Sequence, residues 1–362
     1  MIRSIDINAR FLTQPITGVQ RFAVEIVAGI DRHLSASAQF RDQYRFRLIS
    51  PRSARTMDLE HIPLARAGRL EGHGWEQLEL PLHARGRVLL NLCNTAPVFS
   101  RNVVTIHDAA AFAVPEAYSR AFRLWYRALI PALGRGGLQV VTVSEFSREE
   151  LSLRARIPKH KLAVISEGCE HILRVPPDHG VFARVPVRPR GYVLAVGSRS
   201  PHKNLGVLAA ALRRLDAAAL PFVIAGGVNA RVFGNHDAAA GDGIHHTGYV
   251  TDGELRALYE NACCFLYPSL YEGFGIPPLE AMTCGAPVIA SHAASLPEVC
   301  GDAAVYCDPR DPADWARTLG LLIQDPTRQG ELRRRGLERA RGFTWERAST
   351  AMLDILDRVH RP

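Results

Sequence analysis

The segment from 266 to 300, LYPSLYEGFGIPPLEAMTCGAPVIASHAASLPEVC, concentrates the residues able to do chemistry. An apolar run reaches Pro268 and Ser269, a glycine-bearing loop EGFG (272–275) follows, and Ile276, Pro277 and Pro278 open a helix that contains Glu280. Proline suits a first helical turn, where its missing N–H has no partner to lose. The unpaired N–H groups of that turn and the helix dipole attract an anion such as a phosphate. Gly273 and Gly275 let a ligand approach the backbone. Carboxylates beside a phosphate site look electrostatically wrong, yet Glu272 and Glu280 make sense if they accept hydrogen bonds from the hydroxyls of a sugar and a ribose. The plainer reading is a capped loop with surface glutamates.

A second constellation, GSRSPHKNL (197–205), lies between a strand-like run and a helix-like one. It carries Arg199, His202 and Lys203, and by itself a Lys–Asn pair ahead of a helix reads more often as plain surface. Towards the N-terminus, Gly18 stands between a strand and a helix, and His107 and Asp108 end the run NVVTIHD (102–108). Ser144 ends LQVVTVS (138–144), where facing a ligand and capping the next helix are both open.

These residues need elements to hold them. Strand-like runs alternate with amphipathic helices along the whole chain, the pattern of parallel sheets covered on both faces. The first set comprises 1–8, RFRLIS (45–50), RVLLNLC (87–93), NVVTIHD, LQVVTVS and LAVIS (162–166), with helices over 19–34 and 119–133. The second comprises YVLAVGS (192–198), LPFVIAGG (220–227), a short strand near 244–246, CCFLYPS from Cys263 and APVIAS (286–291). Its helices fall near 204–215, 252–262, 277–284, 312–324 and 328–341. The proline-rich stretch 174–190 between the sets reads as a linker. The chain thus divides into a first domain over 1–173, a second over 191–342, and a final helix over 343–362 expected to return to the first domain. The helix at 119–133 sets Arg120, Arg123 and Arg127 on one side and Phe122, Trp125, Tyr126 and Leu129 on another. That is either a core helix with a solvated arginine stripe or an edge for anionic lipid.

Composition bounds the rest. A length of 362 residues suits two domains, and 47% apolar with 22% charged residues is a globular balance. A net charge of +8 favours anionic partners without choosing among them. Seven cysteines with no C-x-x-C pair argue against a disulfide framework or zinc and for a reducing compartment. The opening MIRSIDINARF lacks a signal peptide's apolar run, and no stretch reaches the ~18 apolar residues of a membrane span. The expected location is cytoplasmic, with at most peripheral membrane contact.

EGFGIPPLEAMTCGAPVIAS is similar to the E-x7-E signature of the retaining glycosyltransferases of family 4, which have the GT-B fold: two Rossmann-like parallel-sheet domains facing a cleft. LPEVCGDAAVYCDP (296–309), GYVTDGELRALYENA (248–262) and FTW (343–345) resemble that family too, as do TGVQRFA (17–23), WEQLELP (75–81), TIHDAA (105–110) and TVSEFSREEL (142–151). The resemblance covers nearly the whole chain. It implies an acceptor-binding first domain and a second domain that binds the nucleotide sugar. In this second domain Glu280 would hold the ribose. Glu272 and the backbone of Gly273, Phe274, Gly275 and Ile276 would line the sugar and phosphates. Lys203 and Arg199 would bind the diphosphate, with His202 standing where the family commonly has arginine, and Tyr249 and Val250 would flank the base. Gly18 would approach the diphosphate from the first domain. His107 would lie near the transferred sugar, with Asp108 and Ser144 on the acceptor side.

The implied reaction is metal-independent hexosyl transfer with retention, needing no cofactor beyond the nucleotide-sugar donor. The general look is that of bacterial transferases of O-antigen and surface-polysaccharide synthesis. This favours GDP-mannose over a UDP- or dTDP-hexose as donor, and a saccharide or lipid-linked acceptor at the inner face of the membrane. A dinucleotide oxidoreductase would need G-x-G-x-x-G, and a metal-dependent transferase of the other common fold an Asp-x-Asp pair; neither occurs. A non-catalytic scaffold of the same fold and a nucleotide-sugar epimerase are the remaining alternatives. Only net charge speaks for nucleic acid, so no such partner is expected.

Overall fold

The computed structural model describes residues 2–198, 200–215, 220–226 and 243–360. Arg199 lies outside the described residues. The chain divides into two compact units, 2–168 with 345–360 and 169–344.

The first unit holds a seven-stranded parallel sheet: β1 (Arg3–Asn8), β2 (Tyr44–Ser50), β3 (Leu64–Arg66), β4 (Val88–Asn91), β5 (Asn102–Thr105), β6 (Gln139–Thr142) and β7 (Leu162–Val164). Their order is β3-β2-β1-β4-β5-β6-β7. The second unit holds a six-stranded parallel sheet: β8 (Val193–Val196), β9 (Phe222–Ala225), β10 (Ile244–Gly248), β11 (Cys264–Tyr267), β12 (Val288–Ser291) and β13 (Ala304–Cys307), in the order β10-β9-β8-β11-β12-β13. Both are Rossmann-like: the chain builds outwards from its first strand on one side, then jumps back to build on the other. Strands such as VLLN, FVIA, CFLY and VIAS are buried along their whole length, as expected where both faces are covered.

The longer helices are α1 (Gly18–Ala36), α2 (Arg120–Gly136), α3 (Glu145–Arg154), α4 (Leu205–Leu212), α5 (Asp252–Asn261), α6 (Ile276–Thr283), α7 (Pro312–Ile323), α8 (Pro326–Ala340) and α9 (Trp345–His360). Helix α9 lies along α1 and buries Trp345, Met352 and Leu356 completely. The approach is close enough that a Cβ on Gly29 would collide with Ser349. The core of the second unit gathers Leu208, Phe222, Leu266, Ile289, Trp315 and Leu319.

Three details differ from the sequence expectation. Residues 174–190 are not a free strand of linker. Their turn His179–Ala183 packs on α5, and the Asp178 N–H donates to the Gly253 carbonyl at 2.9 Å. Strands β3 and β13 were not foreseen, being short and only partly buried. On α2 the buried face is Leu129, Ile130 and Leu133, whereas Phe122, Leu124 and Trp125 are exposed. Phe122, Leu124 and Trp125 are therefore surface, while half-buried Tyr126 packs against the core.

Candidate active site

In the second sheet the direction of building reverses between β8 and β11. Loops leaving their carboxyl ends diverge, and ligands of such sheets sit in the resulting crevice. The loop after β8 carries Lys203 and the loop after β11 carries Glu272. Lys203 Nζ lies 2.6 Å from Glu272 Oε1 and 3.2 Å from the Tyr267 hydroxyl, which donates to the same carboxylate oxygen at 2.8 Å. The two charged side chains are only 20% and 12% exposed. Burial by itself would lower the lysine and raise the glutamate. Each charge outweighs that for the other, holding the Glu272 carboxyl below its usual range and the Lys203 ammonium above.

The surrounding loops are tied to one another. The Leu270 N–H donates to the His202 carbonyl at 2.8 Å. Asn204, left-handed at φ +55°, donates from Nδ2 to Pro268 O at 3.1 Å and Pro309 O at 2.6 Å, joining the loops after β8, β11 and β13. Ser295 Oγ lies 3.0 Å from the Glu272 carbonyl and 2.7 Å from that of Phe274, and donates to both. Gly275 caps α6 at φ +101°, where a Cβ would stand 2.8 Å from Leu296 Cδ2. Gly273, Phe274 and Ile276 are buried, with Phe274 edge-on to Phe343 at 5.7 Å.

The structure brings Glu272 and Lys203 together but sets Glu280 in a different environment. Glu280 is 7% exposed inside α6; one oxygen meets His171 Nε2 at 2.9 Å and the other accepts from the Tyr259 hydroxyl at 3.1 Å. Burial, then the Glu280 charge, push the Tyr259 phenol far above its ordinary value, so it remains a donor. Tyr249, 71% exposed, and half-buried Val250 follow β10.

In the first unit Gly18 is exposed in the first turn of α1, where Gln20 Oε1 accepts from the Thr17 N–H at 3.3 Å. His107 lies just past β5 and is 4% exposed. Its Nδ1 contacts Glu167 Oε1 at 3.1 Å and its Nε2 contacts the Leu92 carbonyl at 3.0 Å, so both nitrogens act as donors. Burial alone would lower its pKa, but Glu167 and the Leu92 carbonyl raise it, favouring the imidazolium. Both ring nitrogens are thus engaged within this unit, and His107 presents a charge. Asp108 Oδ1 accepts from the Ala110 N–H at 2.8 Å, and buried Ser144 Oγ caps α3 by accepting from the Ser147 N–H at 3.0 Å. Among the described residues no cluster of His, Cys, Asp or Glu is placed to hold a metal, and no helix is long and apolar enough to cross a membrane.

Several contributors escaped sequence reasoning. Tyr267 stands in the strand directly before the quoted loop, and Ser295 immediately ahead of the LPEVC motif that follows it. His171 and Glu167 had no signal, because their partners are 109 and 60 positions away, respectively.

Residues 184–342 match the family described as Glycosyl transferases group 1. The chain is 34% identical over 265 residues to O-antigen chain mannosyltransferase B of Escherichia coli, covering 70% of this chain and 69% of that one. Sucrose-phosphate synthase from Thermosynechococcus elongatus superposes with TM-score 0.76 over 99% of both chains at 17% identity. Anabaena HepE in complex with UDP and glucose superposes with TM-score 0.72 over 99% of this chain and 100% of that one at 16% identity. The likeness to the two structures is one of fold.

Proposed function

The chain belongs to the group 1 glycosyl transferases, with the GT-B fold, and on that premise we propose that it transfers mannose from GDP-mannose to a growing saccharide or lipid-linked acceptor in surface-polysaccharide synthesis. The observation that carries the site assignment is the Lys203–Glu272 pair at the switch point of the second sheet. The likeness to O-antigen chain mannosyltransferase B supports mannose, and hence a GDP-sugar; the UDP-bound HepE structure keeps a UDP-hexose, or a dTDP-hexose, as the alternative donor.

In this reading the donor diphosphate takes Lys203 from Glu272, with Arg199 as a second cation and the positive end of the α6 dipole alongside. Glu272 then accepts from sugar hydroxyls beside the backbone of Gly273, Phe274, Gly275 and Ile276. Glu280, with Tyr259 and His171 behind it, turns one oxygen to the ribose, and Tyr249 and Val250 border the base. An acceptor oxygen bonds to the anomeric carbon on the face the diphosphate leaves, the carbon–oxygen bond to the diphosphate breaks, and the acceptor proton passes to a diphosphate oxygen. Configuration is retained and no metal is required. His107 contributes positive charge, Gly18 a backbone approach to the diphosphate, and Asp108 and Ser144 the edge on the acceptor side. The protein works on the cytoplasmic side, with Arg120, Arg123 and Arg127 of α2 meeting anionic lipid.

Thermal unfolding with GDP, UDP, dTDP, ADP and NAD tests the donor assignment. At about 100 times its dissociation constant a nucleotide adds about 2.7 kcal/mol, roughly 5–10 °C for a unit of this size. GDP should give that shift and Glu280→Ala should lose it. A shift with NAD alone, or with none of the five, refutes the assignment.

A further inference from the structure

The first sheet also reverses its direction of building, between β1 and β4. Their last residues, Asn8 and Asn91, open onto a buried polar cluster centred on Glu76 of the WEQLELP segment, 1% exposed. Glu76 Oε1 accepts from Asn8 Nδ2 at 2.8 Å, Thr95 Oγ1 at 2.9 Å and Arg10 Nε at 3.1 Å. Those three donors already satisfy one oxygen. The other, Oε2, faces His73 Nδ1 at 3.3 Å. Burial would raise the Glu76 carboxyl, but His73, Arg10, Asn8 and Thr95 together hold it below its ordinary value. It therefore stays an anion aimed at one imidazole.

His73 is not itself buried: its side chain is 42% exposed. A carboxylate on Nδ1 fixes which ring nitrogen carries the proton and leaves Nε2 as the acceptor on the opposite edge. Beside the ring stand Trp125, at 5.5 Å between centroids, and Tyr126, at 6.4 Å. Trp125 is 37% exposed although tryptophan is usually well covered. The result is an aromatic face with one oriented polar edge, at the end of a parallel sheet where ligands bind. A sugar ring matches it, with a C–H face for the indole and a rim of hydroxyls for an imidazole.

We propose that His73 and Trp125, with Glu76 and Tyr126 behind them, form a subsite for one saccharide unit of the acceptor. Trp125 stacks on the ring and His73 Nε2 accepts from a hydroxyl, while Glu76 is a positioning residue acting through His73. This rests on the transferase reading and deepens its acceptor side.

The test uses the full chain with α-mannotriose as acceptor probe, followed by steady-state transfer and by saturation-transfer NMR. Trp125→Ala and His73→Ala should each raise the acceptor KM roughly tenfold. The donor KM and kcat should not move, and Trp125→Phe should restore most of the loss. An unchanged acceptor KM in both variants, or equal saturation transfer from Trp125→Ala and wild type, overturns the subsite. So does loss of binding to phosphatidylglycerol vesicles with the acceptor KM intact, which would assign Trp125 to a membrane surface. A wild-type chain that shifts with no nucleoside diphosphate and transfers no sugar instead overturns the transferase reading itself.

Discussion

Replacing Lys203 with alanine separates the two things asked of this residue, holding Glu272 and holding a diphosphate. Its ammonium sits 2.6 Å from a carboxylate only 12% exposed, to which the Tyr267 hydroxyl also donates. Removing one partner of a buried pair costs about 3–5 kcal/mol; the 20% exposure of the lysine lets water in and reduces that to roughly 2–3 kcal/mol. The second unit should then unfold roughly 4–12 °C lower. The pH dependence has a definite sign. Because the folded Glu272 carboxyl lies below its unfolded value near 4.3, the contribution is present above about pH 4.3 and is lost as pH falls through the folded value. Because Lys203 is raised, the contribution holds up to the unfolded value near 10.4 and is lost only at more alkaline pH. Changing Glu272 to glutamine in the Lys203→Ala background removes the uncompensated charge, so the double variant should regain most of the lost stability. It should not regain turnover, which on the proposed reading needs a cation at the leaving diphosphate and should stay down by about 10²–10³. Calorimetry from about pH 5 to pH 9 and transfer assays at saturating donor read the two effects separately. Wild-type kcat in Lys203→Ala, or recovery of turnover in the double variant, refutes the reasoning.

Gly275→Ala should destabilise the second unit by about 1–3 kcal/mol, because φ +101° is strained for alanine and its Cβ would stand 2.8 Å from Leu296 Cδ2; nucleotide affinity should fall with it, and an unchanged melting temperature refutes this. For His107 the folded pKa is raised, so its contribution is complete below the unfolded value of about 6.5 and is lost as pH rises through the folded value. The stability gap between wild type and His107→Gln should therefore narrow from about pH 6 to pH 9, and a gap that widens on alkalinisation contradicts the charged, doubly donating ring.

Much of this was legible in the residues because local chemistry dictated it. The glycines around Phe274 and the prolines after Ile276 specify a loop feeding a helix, and the fully apolar strands specify buried parallel sheets. What escaped was what depends on meetings between distant positions. Glu272 and Glu280 look equivalent in sequence, yet one pairs with Lys203 and the other with His171 and Tyr259. Helix α2 has a period of apolar residues along its length, but Phe122, Leu124 and Trp125 stay exposed while Leu129, Ile130 and Leu133 are covered, and periodicity cannot tell a face that is covered from one that is not. Ser144 left two readings open; the hydrogen bond from Ser147 shows its hydroxyl capping α3.

The course of the backbone has a consequence for synthesis. The second unit interrupts the sequence of the first, which is completed only when α9 lies down on α1 and covers Trp345, Met352 and Leu356. On a ribosome, residues 169–344 can complete their core while the earlier-made sheet still waits for its last helix. The unit made first is finished last, and until then the side of α1 destined for Trp345 is open to chaperones and proteases. A chain cut short after Thr344 would harm not the unit beside the break but the one that begins at the other end of the polypeptide.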